Sequence, residues 1–227
     1  MGGVARNGWI VTRLIAATAL ALLVWTSPAP AQHADRATPG YVRVKLETSK
    51  GDIIFAVDER HAPVTATNFL RYVDDGRLDG TSFFRASRNK ANARVGFIEG
   101  GIGTDARRSL LGIPLEPTSK TGLHHVDGAV SMARNGLDSA TGNFAIFVGA
   151  APGYDARPGA PGYAVFARVV SGMETVKAIL AAPSGAGEGV MKGQMILAPV
   201  IIKRAIRLDG IAKPTGGPKV WLIKIGG

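Results

Sequence analysis

Apolar and polar side chains alternate along much of this chain, in short runs that are bounded by glycine, proline and charged turns. The first run, from Val42 to Leu46, places an apolar side chain at every second position, which is the period of a half-buried β-strand. A turn at 49–52 leads to a second run, Ile53 to Val57, and the two runs predict a hairpin. Similar runs predict strands at 81–85, 95–99, 128–133, 143–148, 163–170 and 199–208.

Two segments follow the period of an amphipathic helix instead. The first begins at Pro63, where the missing N–H removes no helical hydrogen bond, and ends near Gly76. The second covers 172–182, with apolar residues three and four positions apart. Strands without crossover helices pair antiparallel, and so many of them must close or stack to cover their edges. The sequence therefore predicts an all-β fold, a closed eight-stranded antiparallel barrel capped by two α-helices.

The N-terminal segment has a different pattern. Arg6 and Arg13 precede an apolar run at 14–25, and small residues flank Pro30 in an Ala-Pro-Ala sequence that ends at Ala31. This is the order of a secretory signal peptide. As a helix the run would reach about 18 Å, which is short of the ~30 Å hydrocarbon core of a bilayer. We expect cleavage after Ala31, a periplasmic or secreted protein, and no stable membrane anchor after cleavage.

These patterns divide the chain into four predicted segments. They are a signal peptide at 1–31, an N-terminal tail at 32–40, a folded domain at 41–209 and a C-terminal extension at 210–227. Within the extension, the run from Val220 to Ile225 predicts one more strand. No internal repeat is visible, and we expect a monomer.

The formal net charge of +10 raises the question of a nucleic-acid partner. The cations scatter along the sequence, apart from the pairs at 107–108 and 203–204, and no aromatic residues interleave with them. We therefore expect no nucleic-acid binding. The absence of cysteine excludes disulfides and thiolate metal sites.

Other candidate chemistry is weak. His124 and His125 are adjacent but lack a nearby cluster of carboxylates, so they predict a solvated loop, with no metal or other cofactor. The glycines at 100–103 are not followed by the Lys-Ser/Thr of a phosphate-binding loop. Ser131 and Ser139 lack the surroundings of a nucleophile elbow, which disfavours a hydrolase.

Six short motifs, in order, resemble those of the cyclophilins, and the last of them has a form seen in exported bacterial members. The resemblance covers Tyr41 to about Leu208 and implies the barrel fold and peptidyl-prolyl cis-trans isomerase activity. The motifs are A-P-V-T-A-T-N-F at 62–69, F-F-R at 83–85, I-E-G-G at 98–101, G-A-V-S-M-A-R at 128–134, D-S-A-T-G-N-F at 138–144 and G-Y-A-V-F-A-R-V at 162–169.

The resemblance also implies a site. Arg85 is the expected catalytic cation, helped by Glu99, and the expected substrates are proline-containing unfolded or exported polypeptides. Rotation about a peptide bond breaks amide resonance, with a barrier of about 18–20 kcal/mol, so a cation near the prolyl nitrogen can assist it without a metal or cofactor. The residues expected to line the substrate groove are Phe97, Ile98, Ala133, Arg134, Asn143, Ala145, Tyr154 and Tyr163.

Several matched positions depart from the family pattern. Glu99 stands where a glutamine is usual, Asn143 also replaces a glutamine, and Ala145 replaces a pocket phenylalanine. Gly153 falls where a bulky aromatic often sits, with Tyr154 beside it as a partial substitute. These differences predict a thinner pocket and reduced activity. They leave open a non-catalytic proline-peptide-binding chaperone of the cell envelope.

Two further alternatives concern the surface and the interior of the barrel. The basic segment from Ser87 to Arg94 predicts an inserted loop, which is either a tolerated surface excursion or a basic lip over the groove. A small-molecule carrier with a lipocalin-like barrel would need a hollow interior, and the placement of the two helices argues against it.

Overall fold

The computed structural model describes residues 1–3 and 38–223, so the apolar run and cleavage site of the predicted signal peptide lie outside the described residues. The chain divides into two compact units, Met1–His33 and Ala34–Gly227, and the fold below belongs to the second. Within the described part of the chain, no helix is long and apolar enough to cross a membrane.

The described strands form one antiparallel sheet that closes on itself. Around the barrel the order is β1-β2-β7-β5-β6-β4-β3-β9, and β9 pairs again with β1, while β8 is a short addition to β9. The predicted eight-stranded barrel is confirmed, with a ninth strand and a third helix added. The elements are β1 Tyr41–Thr48, β2 Gly51–Asp58, α1 Pro63–Asp74, β3 Thr81–Arg88, β4 Gly96–Gly101, α2 Thr118–Thr121, β5 Ala129–Met132, β6 Asn143–Val148, β7 Val165–Ser171, α3 Met173–Leu180, β8 Ser184–Gly185 and β9 Met195–Arg207.

Aromatic and aliphatic side chains of the described residues pack together in the barrel interior and form one core. Phe144 of β6 lies at its centre and meets Phe55, Phe69 and Phe83 edge-on, with ring centroids 5.5–5.9 Å apart. Edge-to-face contacts are the favoured geometry for such pairs. Phe69 comes from α1, which packs its apolar face on the barrel, and α3 does the same with its own apolar face.

The predicted loop at 87–94 is only partly a loop. Ser87 and Arg88 continue β3, and a compact turn then leads to β4. In that turn the Asn89 side chain accepts hydrogen bonds from the backbone N–H groups of Ala91 and Asn92. The prediction of an entirely loop-like segment is therefore wrong, because strand pairing extends to the register Arg88–Gly96.

Arg88 ties this hairpin to the end of α3. Its guanidinium donates to the carbonyl oxygens of Leu180, at 2.7 Å, and Ala182, and to the hydroxyl of Ser184 at 3.0 Å. The last carbonyls of a helix lack partners within the helix, and a cation there also matches the helix dipole. Arg88 therefore caps α3.

The C-terminal extension does not form the predicted strand. Residues 220–222 make a single 3-10 turn, and 224–225 lie outside the described residues. Each of the eight described barrel strands is already paired on both edges, which leaves no edge for another strand. The extension instead binds the end of α1: Thr215 donates to Asp75, and the guanidinium of Arg77 stacks 4.5 Å from the ring of buried Trp221.

Candidate functional site

A β-bulge in β3 turns the side chain of Arg85 away from the barrel core. Strict alternation would put Phe83 and Arg85 on the same face of the strand. Phe83 pairs with Gly100, yet Arg85 pairs with Glu99, so Phe84 is the extra residue. A bulge of this kind re-aims the side chains that follow it. Phe83 thus stays fully buried in the barrel while Arg85 faces outward.

The two glycines after Glu99 are required by close packing. A Cβ on Gly100 would lie 2.6 Å from the ring of Phe83. Gly101 has φ +124, and a Cβ there would lie 2.2 Å from the carbonyl oxygen of Gly142. Glycine is the residue that tolerates such a backbone and such close approach. The Gly-Gly pair therefore fixes where β4 delivers the Glu99 carboxylate.

Arg85 and Glu99 meet as the sequence predicts. Arg85 Nη1 donates to Glu99 Oε2 at 2.9 Å, and both side chains are largely buried, with 14% and 10% exposure. The guanidinium carbon lies 5.0 Å from the centre of the Phe97 ring, close enough for a cation–π contact. The ion pair thus rests beside an aromatic ring.

Gln194 is a partner of Arg85 that sequence reasoning missed. Its Oε1 accepts from Arg85 Nε at 2.9 Å, and its backbone carbonyl accepts from Ala86 N–H at 2.8 Å. No local pattern marks Gln194, since it lies just before β9, far along the chain. With Nε and Nη1 used, Arg85 Nη2 makes no hydrogen bond to any described residue, which leaves this nitrogen to donate to a ligand.

The side chain of Arg85 borders a surface groove with a volume of about 470 Å³. Seven of the eight predicted lining residues border it, and Ile98 does not. The lining residues are Arg85, Phe97, Glu99, Ser131, Met132, Ala133, Arg134, Asn135, Ser139, Thr141, Asn143, Ala145, Phe147, Tyr154, Tyr163, Val190 and Met191.

The prediction that Ile98 lines the groove is wrong. Along β4 successive side chains alternate between faces, so Phe97 and Glu99 share the groove face and Ile98 points the other way. Ile98 is fully buried in the barrel core. The segment 87–94 does not line this groove either; Ser87, Arg88 and Asn89 border a neighbouring cavity of about 330 Å³.

The groove beside Arg85 contains an aromatic side chain that the sequence reading did not include. Phe147 lies two residues beyond Ala145 along β6, borders the same groove and packs with Ala145 and Phe97 in one apolar cluster. Phe147 contacts Phe97 at 5.5 Å and Tyr154 at 5.1 Å between ring centres, and Tyr154 continues to Tyr163 at 5.9 Å. We call these four rings, Phe97, Phe147, Tyr154 and Tyr163, the aromatic wall.

Gly153 has no side chain to contribute to the aromatic wall. A Cβ at this position would point into open space, with no other atom within 4 Å. Tyr154, the residue that the sequence suggests as a partial substitute for a bulky side chain here, lies in the aromatic wall beside Phe97 and Phe147. Sequence reasoning missed Phe147, although its spacing of two from Ala145 on a predicted strand is a readable signal.

Two further predicted residues that border the groove are polar. Arg134 donates to the carbonyl of Gly162 at 2.7 Å and stacks 4.9 Å from the Tyr163 ring centre. Asn143 uses its amide on the backbone of Gly103, with Oδ1 accepting at 2.8 Å and Nδ2 donating at 2.9 Å. Asn143 therefore borders the groove but uses both polar atoms to hold a loop.

A polar chain runs from Asp155 through buried His125 to Ser131, which borders the groove. His125 Nδ1 is 2.6 Å from Asp155 Oδ1, and His125 Nε2 is 3.0 Å from the hydroxyl oxygen of Ser131. The prediction of a solvated loop fits His124, whose side chain is 59% exposed, but is wrong for His125, which is buried. The His125 ring also packs on Phe147, with centres 4.8 Å apart.

The protonation of this chain follows from its partners. Burial lowers the pKa of His125, and this outweighs the opposing effect of Asp155, so the imidazole is neutral near pH 7. Burial opposes ionisation of Asp155, but hydrogen bonds from His125 more than compensate and hold its pKa below the ordinary value. A carboxylate only accepts, so Nδ1 carries the proton and Nε2 accepts from the Ser131 hydroxyl.

Chemically, the groove combines a fixed cation, a free guanidinium nitrogen and an aromatic wall. Ser131 is buried within β5, where it pairs with Ala145 and Val165, and its hydroxyl is already hydrogen-bonded to His125. Within the described residues, no group of three or more His, Asp or Glu side chains could hold a metal ion. Fold and groove together define a cyclophilin-like barrel protein.

Comparisons with known proteins agree with this class. The sequence profile of the cyclophilin type peptidyl-prolyl cis-trans isomerase/CLD family matches residues 43–205. Peptidyl-prolyl cis-trans isomerase A of Dickeya dadantii is 35% identical over 172 residues, which cover 74% of this chain and 85% of that protein. Peptidyl-prolyl cis-trans isomerase cyp18 of Streptomyces antibioticus is 35% identical over 167 residues, 71% of this chain and 96% of that protein.

Solved structures give the same fold. A cyclophilin type peptidyl-prolyl cis-trans isomerase of Cryptosporidium parvum, solved in the presence of the dipeptide Ala-Pro, matches with a TM-score of 0.58 at 21% identity, over 74% of this chain and 99% of that chain. The chain therefore belongs to the cyclophilin-type peptidyl-prolyl cis-trans isomerase family. The activity of its class is cis-trans isomerisation of peptide bonds that precede proline.

Proposed function

We propose that this protein accelerates rotation about X-Pro bonds in exported polypeptides, with Arg85 as the catalytic residue. The observation that carries the proposal is the fixed guanidinium with a free nitrogen, set beside an aromatic wall in an open groove. A proline ring on the wall would bring its nitrogen close to Arg85. This placement holds the bond to be rotated next to the cation.

The mechanism follows from what rotation requires. Twisting the bond breaks amide resonance and returns a lone pair to the prolyl nitrogen. A positively charged donor fixed beforehand stabilises that twisted state more than the planar one, and each ~1.4 kcal/mol of such a difference gives a tenfold rate. No covalent bond forms or breaks. The groove therefore needs no nucleophile or metal, and Gln194 and Glu99 serve to hold Arg85.

The experiment is an NMR exchange measurement on an Ala-Pro peptide, with and without the protein. We expect accelerated exchange that falls at least tenfold in Arg85→Ala, because the cation is lost. Arg94→Ala is the matched control, since Arg94 is an exposed arginine of the β3–β4 turn, and its rate should equal that of the unaltered protein. Equal exchange rates with and without the unaltered protein would refute the proposal.

One observation favours a second candidate, a proline-peptide-binding chaperone without catalysis. Glu99 places a negative charge 2.9 Å from the catalytic cation and offsets part of its field. A pure binder would bind the Ala-Pro peptide in both the unaltered protein and Arg85→Ala, and would accelerate exchange in neither. Titrating the same peptide into each protein by NMR gives the affinity beside the exchange rate.

The proposed location is the periplasm or the extracellular space. It is supported by the basic residues, apolar run and Ala-Pro-Ala site of the N-terminal segment. N-terminal sequencing of the protein recovered from a bacterial host should give a mature chain that starts at Gln32, in the periplasmic or culture fraction. Recovery of the intact chain in the cytoplasmic fraction would contradict this proposal and leave the isomerase proposal standing.

A further inference from the structure

The loop between β8 and β9 places two apolar side chains at the edge of the groove, and one of them is largely exposed. Val190 is 82% exposed, and Val190 and Met191 both border the groove that contains Arg85. We call these two residues the groove lip. A largely exposed valine beside a binding groove is an apolar surface that a bound peptide can cover.

The groove lip is tied to Arg85 through one side chain. Gln194 Nε2 donates to the carbonyl of Val190 at 2.9 Å, while Gln194 Oε1 accepts from Arg85 Nε at 2.9 Å. At the base of the loop, Gly193 N–H donates to the carbonyl of Ala186 at 2.6 Å. Two hydrogen bonds therefore separate the Val190 backbone from the guanidinium, so the lip has a defined position relative to the reacting bond.

The rest of the groove leaves a particular role to the lip. The aromatic wall can hold the proline ring, and several other bordering side chains, including Asn135, Ser139 and Thr141, are polar. A peptide whose proline lies on the wall beside Arg85 must place a neighbouring residue near the lip, because successive Cα atoms are only about 3.8 Å apart. An apolar neighbour would bury Val190, and a polar one would gain nothing there.

We propose that the groove lip is a specificity site that binds an apolar side chain next to the isomerised proline. This inference rests on the proposed isomerase function. It assigns a substrate preference to a loop outside the motifs that the sequence shares with its family. The occupant is the proline-containing peptide itself, and the contact is with its flanking residue.

The test uses two sets of short peptides, one that varies the residue before proline and one that varies the residue after it, with leucine against serine in each. Affinity and exchange rate are both measured by NMR. The unaltered protein should prefer leucine at one of the two positions. In Val190→Ser that preference should fall by about three- to tenfold, because the leucine of the peptide loses its apolar contact with Val190. The affinity and exchange rate of the serine peptides should not change.

Ile211→Ser is the matched control, because Ile211 is 84% exposed and does not border the groove. Its leucine preference should equal that of the unaltered protein. An unchanged preference in Val190→Ser, or no preference for leucine at either position, would refute the proposed specificity site. The isomerase proposal would still stand. A protein that neither binds nor isomerises any of the peptides overturns both.

Discussion

At the scale of single residues, the site depends on how Arg85 is held. Glu99 accepts one hydrogen bond from the guanidinium and also brings a full negative charge to it. In the proposed mechanism the two effects act in opposite directions on the rate, since the first orients the cation and the second weakens its field at the prolyl nitrogen. Substitution can separate them.

We expect Glu99→Gln to raise the exchange rate of an Ala-Pro peptide by roughly two- to tenfold, since the amide oxygen can still accept from Nη1 while the charge is removed. Glu99→Leu should lower the rate, because it removes the hydrogen bond as well. NMR exchange at saturating peptide measures both variants. A lower rate in Glu99→Gln would mean that the carboxylate is needed to orient Arg85.

The residues of the site are predictable to the extent that they belong to a local pattern. Arg85 and Glu99 stand in short motifs on neighbouring strands, and the structure pairs them. Gln194 has no such pattern, and only the folded barrel brings it to the arginine. Ile98 and Phe147 depend on strand parity, which turns the first away from the groove on β4 and the second toward it on β6.

At the scale of elements, the β3–β4 hairpin and α3 form one connected unit. Arg88 joins them with three hydrogen bonds to Leu180, Ala182 and Ser184. The sequence left open that the basic segment 87–94, which includes Arg88, lies over the groove. In the structure Arg88 instead caps the C-terminal end of α3. The groove lip follows β8, so Arg88 also fixes the start of the segment that leads to it.

We expect Arg88→Ala to lower the free energy of unfolding by about 2 kcal/mol, because the C-terminal carbonyls of α3 lose their charged donor. Urea denaturation followed by tryptophan fluorescence measures the change. Arg94→Ala removes an exposed arginine from the same hairpin and should change stability by less than about 0.5 kcal/mol. Equal stabilities of Arg88→Ala and Arg94→Ala would show that the cap contributes nothing.

Element type is predictable where a run is long enough to show a period. The strands of the barrel and the two longer helices meet this condition, whereas the two residues of β8 and the four of α2 are too short to carry one. The run at 220–225 has the composition of a strand, yet the described barrel offers it no open edge. Periodicity describes what a segment can form, and pairing depends on the rest of the fold.

At the scale of the whole molecule, stability is linked to pH through the buried chain of Asp155, His125 and Ser131. Burial holds the pKa of His125 below its ordinary value of 6.5, so the unfolded chain binds a proton at this residue more readily than the folded one. The contribution of His125 to stability is therefore complete above about pH 7.5 and is lost as the pH falls through about 6.5.

Urea midpoints measured between about pH 8 and pH 5 should fall as the pH is lowered, and His125→Gln should reduce that slope. The matched control is His124→Gln, because His124 also contacts Asp155 but is 59% exposed. The control should keep most of the slope of the unaltered protein. Identical slopes in His125→Gln and the unaltered protein would mean that the buried imidazole does not take part.

The closure of the barrel by β1 and β9 has a consequence for synthesis. Val44, near the start of the folded unit, pairs with Arg207, near its end. While a ribosome is still making β9, both β1 and β3 lack their neighbour on that side, and the aromatic core has an open wall. Pairings between residues this far apart in sequence form late, because the entropy of loop closure has to be offset before such contacts stabilise the fold. The barrel can therefore close only after β9 has emerged, and the groove beside Arg85 is complete only when β9 pairs with β3 and Gln194 reaches the guanidinium.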